Sequence, residues 1–306
     1  MEDVTFKPAF IERYRKLTDF EAFKKASLEH LEKSIRVNTI KIEKKALVER
    51  MSDWKLKPIP WFDKGYFIEH TKGRRDIGNT LESNLGYLYV QEASSMIPPI
   101  ILAPKAGETV FDIAASPGSK TTQMADMMNN KGVILANDIK PERMKSLVMN
   151  LQKCGVQNTI TVMREGRKYR GYAFDKVLVD APCSATGTIK KSFKTISIWN
   201  PHMIKRLSGI QKTLLITGFQ NLREGGTLVY STCSVEPDEN EAVIDWLLQK
   251  EEKARLETIK IDLKRSKPVE EFEGKTYTSE VKKTLRIWPQ DNNTCGFFVA
   301  KIQKLG

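Results

Sequence analysis

Residues 109–139 read TVFDIAASPGSKTTQMADMMNNKGVILANDI. Two short, β-branched apolar runs, TVFDIA and VILAN, flank a turn of small residues and a segment of helix formers. Strand, glycine turn, helix and second strand make a βαβ unit, whose strands must run parallel. The rhythm continues downstream in TITVM, FDKVLVDAP and TLVYSTC, with helical stretches at about 119–130, 141–154, 202–222 and 238–250. Apolar strands alternating with helices predict a mainly parallel sheet covered on both faces. KTLRIWP and GFFVAKIQ add strands near the C-terminus, and 251–283 is charged and loop-rich.

Residues 1–105 lack this rhythm and read as a small mixed α/β part. Residues 8–31 and 43–51 have helical character, and SIRVNTIK (34–41) alternates like a strand. KPIPW (57–61) reads as an extended link, and 93–102 as a short helix stopped by Pro104. The expected division is therefore 1–105 and 106–306.

The chain of 306 residues is 40 % hydrophobic and 29 % charged, the balance of a globular protein. It has no run of 18 apolar residues, and MEDVTFKPAFIERYRK carries no apolar signal core, so a cytoplasmic protein without a membrane partner is expected. Lys and Arg exceed Asp and Glu by 12, which favours a polyanionic partner. Residues 140–170 hold eight basic side chains against two acids. Residues 190–212 hold six and no acid, with Phe193 and Trp199 among them. Basic stretches interleaved with aromatics suit nucleic-acid backbone and base stacking. The four cysteines, Cys154, Cys183, Cys233 and Cys295, form no CxxC, and the histidines lie far from them in sequence, so no metal is expected.

In an open α/β sheet the ligand lies beyond the C-terminal strand ends. The turn 112–122, DIAASPGSKTT, can present backbone N–H groups to a polar ligand group at the start of a helix. It is neither a Walker loop, since Gly118-Ser119-Lys120 has the wrong order, nor a GxGxxG. Asp138 closes the second strand, 20 residues after Gly118, where an acid can accept the ribose hydroxyls of a nucleoside ligand. Asp180-Ala181-Pro182-Cys183 follows the next long strand, and Ser231-Thr232-Cys233-Ser234 the one after. Each cysteine alone reads better as a small buried filler. Two thiols after successive strands, with an acid three residues before the first, point instead to one reactive crevice. A helix start in PDENEAVIDWLL, if close, would favour a thiolate at Cys233. These residues do not by themselves say which thiol attacks.

DIAASPGSKTT, ANDI, DAPCSATG and YSTCSVEPDENE resemble successive motifs of the RNA cytosine-5 methyltransferases, the Nop–Sun group. IRVNTIK and YVQEASSMIPP before them, and RIWP and GFFVAKI after them, extend the resemblance over about 34–303. It implies a class I S-adenosylmethionine-dependent methyltransferase: a Rossmann-like, seven-stranded, mostly parallel sheet with a small mixed α/β N-terminal domain that binds RNA. The implied reaction places a methyl group on C5 of cytosine in RNA. The methionine part of the cofactor falls to Ala114, Ala115, Ser116, Pro117, Gly118, Ser119 and Lys120. Asp138 takes the ribose, Glu165 lies at the adenine pocket, and Arg143 and Asp180 complete the cofactor site. Cys233 matches the attacking thiol and Cys183 the thiol that promotes release, with Asp180 and Lys120 beside them. The chain departs from the family pattern at Ser119 and Ala185, each for glycine, and at Glu165 for aspartate.

Its compact form resembles prokaryotic and archaeal members that modify tRNA. The expected substrate is tRNA, with rRNA as rival, and a monomer is expected. Arg36, Asn38 and Lys41, and the basic stretch with Trp199, are the candidate RNA-binding residues. An RNA-binding protein of the same fold without catalysis is the other reading, and the retained Asp180, Cys183 and Cys233 weigh against it.

Overall fold

A computed structural model describes residues 5–306, so the first four residues of the N-terminal part lie outside the description. The first helical stretch divides into α1 (Pro8–Arg15) and α2 (Phe20–Leu28). The break comes where Asp19 turns its carboxylate onto the N–H groups of Glu21 and Ala22 and caps α2. Strand β1 (Lys33–Val37), helix α3 (Lys44–Arg50), strands β2 (Trp54–Ile59) and β3 (Phe62–His70), the single turn α4 (Leu81–Asn84) and strand β4 (Leu88–Val90) follow. The strands form one antiparallel sheet in the order β2-β3-β1-β4. The proline-punctuated link expected at 57–61 belongs largely to β2. That strand lies at the sheet edge, where Pro58, without an N–H, leaves no ladder bond unmade.

Helix α5 (Ile97–Leu102) leads into the second sheet. Its elements are β5 (Thr109–Asp112), α6 (Ser119–Met127), β6 (Val133–Asp138), α7 (Pro141–Cys154), β7 (Thr159–Met163), β8 (Phe174–Asp180), α8 (Lys194–Ile198), α9 (Pro201–Gln220), β9 (Leu222–Thr232), α10 (Glu241–Lys250) and β10 (Ala254–Glu257). The two-stranded hairpin β11 (Glu271–Phe272) and β12 (Lys275–Thr276) precedes β13 (Leu285–Ile287) and β14 (Phe297–Lys304). The sheet order is β10-β14-β9-β8-β5-β6-β7. β5 to β9 are mutually parallel, while β14 runs antiparallel to both its neighbours. This is the seven-stranded class I methyltransferase sheet, with the short β13 as an eighth strand paired to β14. Among the described residues no helix is long and apolar enough to cross a membrane.

Alternation along the strands divides the core. Phe111, Val177, Val179, Leu228 and Tyr230 face Leu215, Phe219, Val243 and Leu247 of α9 and α10. Val110, Leu178 and Val229 point the other way, onto Ile97 and Leu102 of α5, Met124 of α6 and Met128 just after it. The period of two thus buries both faces of each strand, as their near-continuous apolar sequences require.

The N-terminal part is bonded to this sheet by buried polar groups. Arg36 Nη2 donates to Thr122 Oγ1 at 2.9 Å and Arg36 Nε to Gln91 Oε1 at 3.1 Å, with Asp126 3.9 Å away. Asn38 donates to the carbonyls of Gly86 and Cys154 at 2.7 and 2.8 Å. Helices α1 and α2 pack elsewhere: Phe10, Tyr14 and Phe23 lie against Trp199, Val235 and Trp288 of the C-terminal part. On that side Arg286 donates to Glu241 at 2.8 and 2.5 Å and to the Val235 carbonyl at 2.8 Å, all out of water. Losing one member of a buried ion pair leaves the other charge uncompensated, so Arg286→Ala should cost about 3–5 kcal/mol in urea denaturation. A loss below about 1 kcal/mol would show that the pair does not hold this region.

Candidate active site

Strands β8 and β9 are parallel neighbours, with Asp180 opposite Ser231, so the loops that follow them leave the sheet side by side. The two thiols overhang one crevice: Cys183 Sγ lies 3.1 Å from Cys233 Sγ. The hydroxyls around Cys233 explain its setting. Ser231 Oγ donates to Asp180 Oδ1 at 2.7 Å, and Thr232 Oγ1 to Asn240 Oδ1 at 2.6 Å. Ser234 Oγ donates to Glu239 Oε2 at 2.5 Å. Glu239 is fully buried and also receives, on Oε1, the Ser184 N–H at 3.0 Å and Gln211 Nε2 at 2.9 Å, while the Ser184 hydroxyl donates to Oε2 beside that of Ser234. Gly187 N–H donates to the Cys233 carbonyl at 3.0 Å. A Cβ on Gly187 would stand 2.2 Å from the Gly296 carbonyl oxygen, so only glycine permits this approach. Ala185 holds φ +60°, a left-handed conformation that costs an alanine about 1–2 kcal/mol and suits the family's glycine. Ser119 strains nothing, because it begins α6 while Gly118 takes the positive φ of +100°.

The electrostatics distinguish the thiols. Cys183 is pushed well above its ordinary range by its hydrogen bond to Cys233, by burial, and by the negative charges of Cys233 and Glu239. Cys233 is lowered, first by the hydrogen bond from Cys183 and then by Lys120 and Lys191, against burial and Asp180. The pair therefore favours a proton on Cys183 and a thiolate at Cys233. The groups that follow Cys233 in sequence, Glu239 and Asn240, bond the loop's hydroxyls and amides rather than its sulfur.

Lys120 Nζ donates to Asp180 Oδ2 at 2.6 Å and to Ser95 Oγ at 3.1 Å, so Asp180 has a partner on each oxygen. A cavity of about 200 Å³ opens here, lined by Ser95, Asp112, Lys120, Asp180, Lys191 and Cys233. A second of about 270 Å³ runs from Asp138 past Ile139, Ile210 and Leu214 to both thiols. The two share Asp180 and Cys233 in their walls.

Asp138 is 3 % exposed. Its Oδ1 accepts the Lys140 N–H at 3.2 Å, and its Oδ2 has no hydrogen-bond partner among the described residues, although Arg143 Nε lies 3.3 Å away. A buried acceptor left open toward a cavity fits a ligand hydroxyl. Arg143 also donates to the Ser116 carbonyl at 2.8 Å, and the Ser116 hydroxyl donates back to the Arg143 carbonyl at 2.7 Å, which ties the glycine turn to α7. Ala114, Ala115, Pro117 and Ser119 line the smaller cavity. Glu165 lies on a shallow rim, ion-paired to Arg167 at 2.7 Å and Lys168 at 3.4 Å, which hold its carboxylate below the usual range.

The candidate RNA-binding residues Arg36, Asn38 and Trp199 are not available to a ligand. Arg36 and Asn38 are consumed in the contact between the two parts, and Lys41 donates to the Leu85 carbonyl at 3.0 Å. Trp199 is 1 % exposed and donates from Nε1 to Glu236 at 2.8 Å. Ser95, Asp112 and Lys191 also line the cavity that contains Cys233, and of these only Lys191 belonged to a candidate segment, the basic stretch 190–212 expected to bind RNA. Asp112 closes β5, and burial pushes its carboxyl up to about 7 although Thr121 donates to it. Ser95 sits in QEASS and Lys191 in the basic stretch, but nothing local in sequence brings either to Cys233. No cluster of His, Cys, Asp and Glu among the described residues could hold a metal ion.

The model of the 16S rRNA methyltransferase RsmB/F family matches residues 99–303, and that of the N-terminal domain of 16S rRNA methyltransferase RsmF matches residues 6–93. The chain is 47 % identical over 300 residues to a tRNA (cytosine(49)-C(5))-methyltransferase of Pyrococcus abyssi, covering 96 % of this chain and 95 % of that one. It is 38 % identical over 315 residues to a ribosomal RNA small subunit methyltransferase F of Vibrio campbellii, covering 99 % of this chain and 64 % of that one. A crystal structure of a methyltransferase homolog protein from Pyrococcus horikoshii superposes with a TM-score of 0.83 at 35 % identity, covering 98 % of this chain and 100 % of that one.

If Cys183 donates to a Cys233 thiolate, iodoacetamide should alkylate Cys233 with a pH midpoint below the ordinary thiol range of about 8.5. Peptide-resolved mass spectrometry should find that midpoint moved upward in Cys183→Ala. An unmoved midpoint would show that the 3.1 Å contact does not supply the thiolate.

Proposed function

We propose, since the chain belongs to the 16S rRNA methyltransferase RsmB/F family, that it transfers a methyl group from S-adenosylmethionine to C5 of a cytosine in RNA, with tRNA as the favoured substrate. The observation that carries this reading is the thiol pair, 3.1 Å apart, with Cys233, on the thiolate side, in the shared wall of two cavities. The near-complete mutual coverage with the Pyrococcus abyssi tRNA enzyme supports tRNA over rRNA.

The target base occupies the smaller cavity, unstacked from its neighbours, because C6 is inaccessible in a stacked helix. The Cys233 thiolate adds to C6, and the electron pair of the C5–C6 double bond shifts toward C5. Asp180, fixed between Lys120 and Ser231, accepts from the exocyclic amine of the ring and shares a proton with N3. The larger cavity holds the nucleoside end of the cofactor, with Asp138 on the ribose and Glu165 at the outer rim near the adenine, and the methionine part follows the turn 114–120, fixed by Arg143 and Ser116, to the smaller cavity. When bound, S-adenosylmethionine supplies an electrophilic sulfonium methyl group. Once C5 is methylated, its proton passes to water, the C–H electron pair re-forms the C5–C6 double bond, and the C6–S bond breaks to return the Cys233 thiolate. The Cys183 S–H stabilises the sulfur that departs by donating to it.

Labelled S-adenosylmethionine with an unmodified tRNA pool, or with rRNA, tests this reading. Wild type should label RNA at 5-methylcytosine, and Cys233→Ala should leave it at background. Cys183→Ala should methylate once and then release RNA slowly. Full turnover by Cys233→Ala would overturn the assignment, and preferential labelling of rRNA would move the substrate.

A further inference from the structure

Beyond the base cavity the crevice continues toward the N-terminal sheet. A further cavity of about 420 Å³ shares Glu92 and Lys191 with the one that contains Cys233. Its floor is the edge strand β4, where Val90 is 42 % exposed, and its far wall carries Lys33 and Arg75.

The charges in this cavity are unequally committed. Glu92 accepts the Cys295 N–H at 3.1 Å and the Ser95 N–H at 3.2 Å, and Glu32 accepts from Asn293 at 3.3 Å. Both carboxylates are thus turned into loop contacts. The Arg75 guanidinium and the Lys191 ammonium have no hydrogen-bond or ion-pair partner among the described residues, and both residues are exposed. Three other cations of the N-terminal part are paired: Arg50 with Glu82 at 3.2 Å, Lys64 with Asp126 at 3.0 Å and Arg74 with Asp76 at 2.6 Å. Two unpaired cations, one at the mouth of the base cavity and one across an apolar floor, match the alternation of phosphate and nucleoside along a single strand.

We propose that this cavity is the subsite for the nucleotide next to the target cytosine, with Lys191 and Arg75 on the flanking phosphodiester groups and the base over Val90. The inference rests on the RNA methyltransferase reading and adds the path of the strand. It also gives the N-terminal part a binding role through Arg75 and β4, in place of the buried Arg36 and Asn38.

The test is the salt dependence of binding to an unmodified tRNA pool, measured by fluorescence anisotropy, for wild type, Arg75→Ala, Arg75→Lys and Lys191→Ala. Each lost phosphate contact in a single strand lowers the slope of log K against log salt by about 0.7. Arg75→Ala and Lys191→Ala should each flatten the slope by about that amount, while Arg75→Lys should keep it. Lys191 also acts on Cys233, so Arg75 is the arm independent of the thiol. S-adenosylmethionine affinity, read by calorimetry, should be unchanged in Arg75→Ala, which confirms an intact fold. Unchanged slopes in both alanine variants, or weaker binding at an unchanged slope, would overturn the subsite. If wild type labels no RNA, the functional reading itself fails. If wild type labels RNA and the slopes do not move, only the subsite fails.

Discussion

One buried carboxylate sets the geometry of the site. Glu239 lies beyond the end of β9, out of water, and receives bonds from Ser184, Ser234 and Gln211. Ser184 follows Cys183 and Ser234 follows Cys233, so this single group gathers the loops of both thiols. Burial pushes its pKa up, and the donors from Ser184, Ser234 and Gln211 pull against that. A buried carboxylate is tolerated only when its lone pairs are met, which makes the hydroxyls of DAPCS and STCS structural necessities as much as the thiols are chemical ones. With the loops held in this way, the sulfur–sulfur contact follows, and the division of charge between the thiols follows from the contact.

The N-terminal helix extends the same support. Arg13 bridges Glu236 and Asp238 at 2.8 and 2.7 Å, and Tyr14 and Trp199 donate to the other oxygen of Glu236 at 3.0 and 2.8 Å. Glu236 N–H in turn donates to Ser234 Oγ at 3.1 Å. The loop after Cys233 is therefore held from the sheet by Glu239 and from α1 by Glu236. Residues remote in sequence converge on one short loop, and the aromatic cluster around Phe10, Tyr14 and Phe23 shields that network from water.

Much of this was legible in the sequence because the strands carry it locally. Apolar runs identified β5 to β9, and the residues just after them, Asp138, Asp180, Cys183 and Cys233, do gather at one end of the sheet. What sequence could not supply was partner choice at long range. Arg36 and Trp199 have the residue types of RNA contacts, yet their partners Asp126 and Glu236 come from distant segments and bury them. Conversely Arg75 stood in no motif, and Lys191 was one of six basic residues in the stretch 190–212; folding leaves both unpaired beside a cavity. The pairing of Cys183 with Cys233 is a 3.1 Å contact across 50 residues of chain, which no local pattern encodes.

The central claim is that Cys233, and not Cys183, forms the covalent bond to the base. RNA carrying 5-fluorocytidine tests it most directly, because fluorine at C5 cannot leave as a proton would and the adduct persists. Digestion and mass spectrometry of the trapped complex should find the nucleotide on the peptide containing Cys233. A nucleotide on the peptide containing Cys183 would contradict the account.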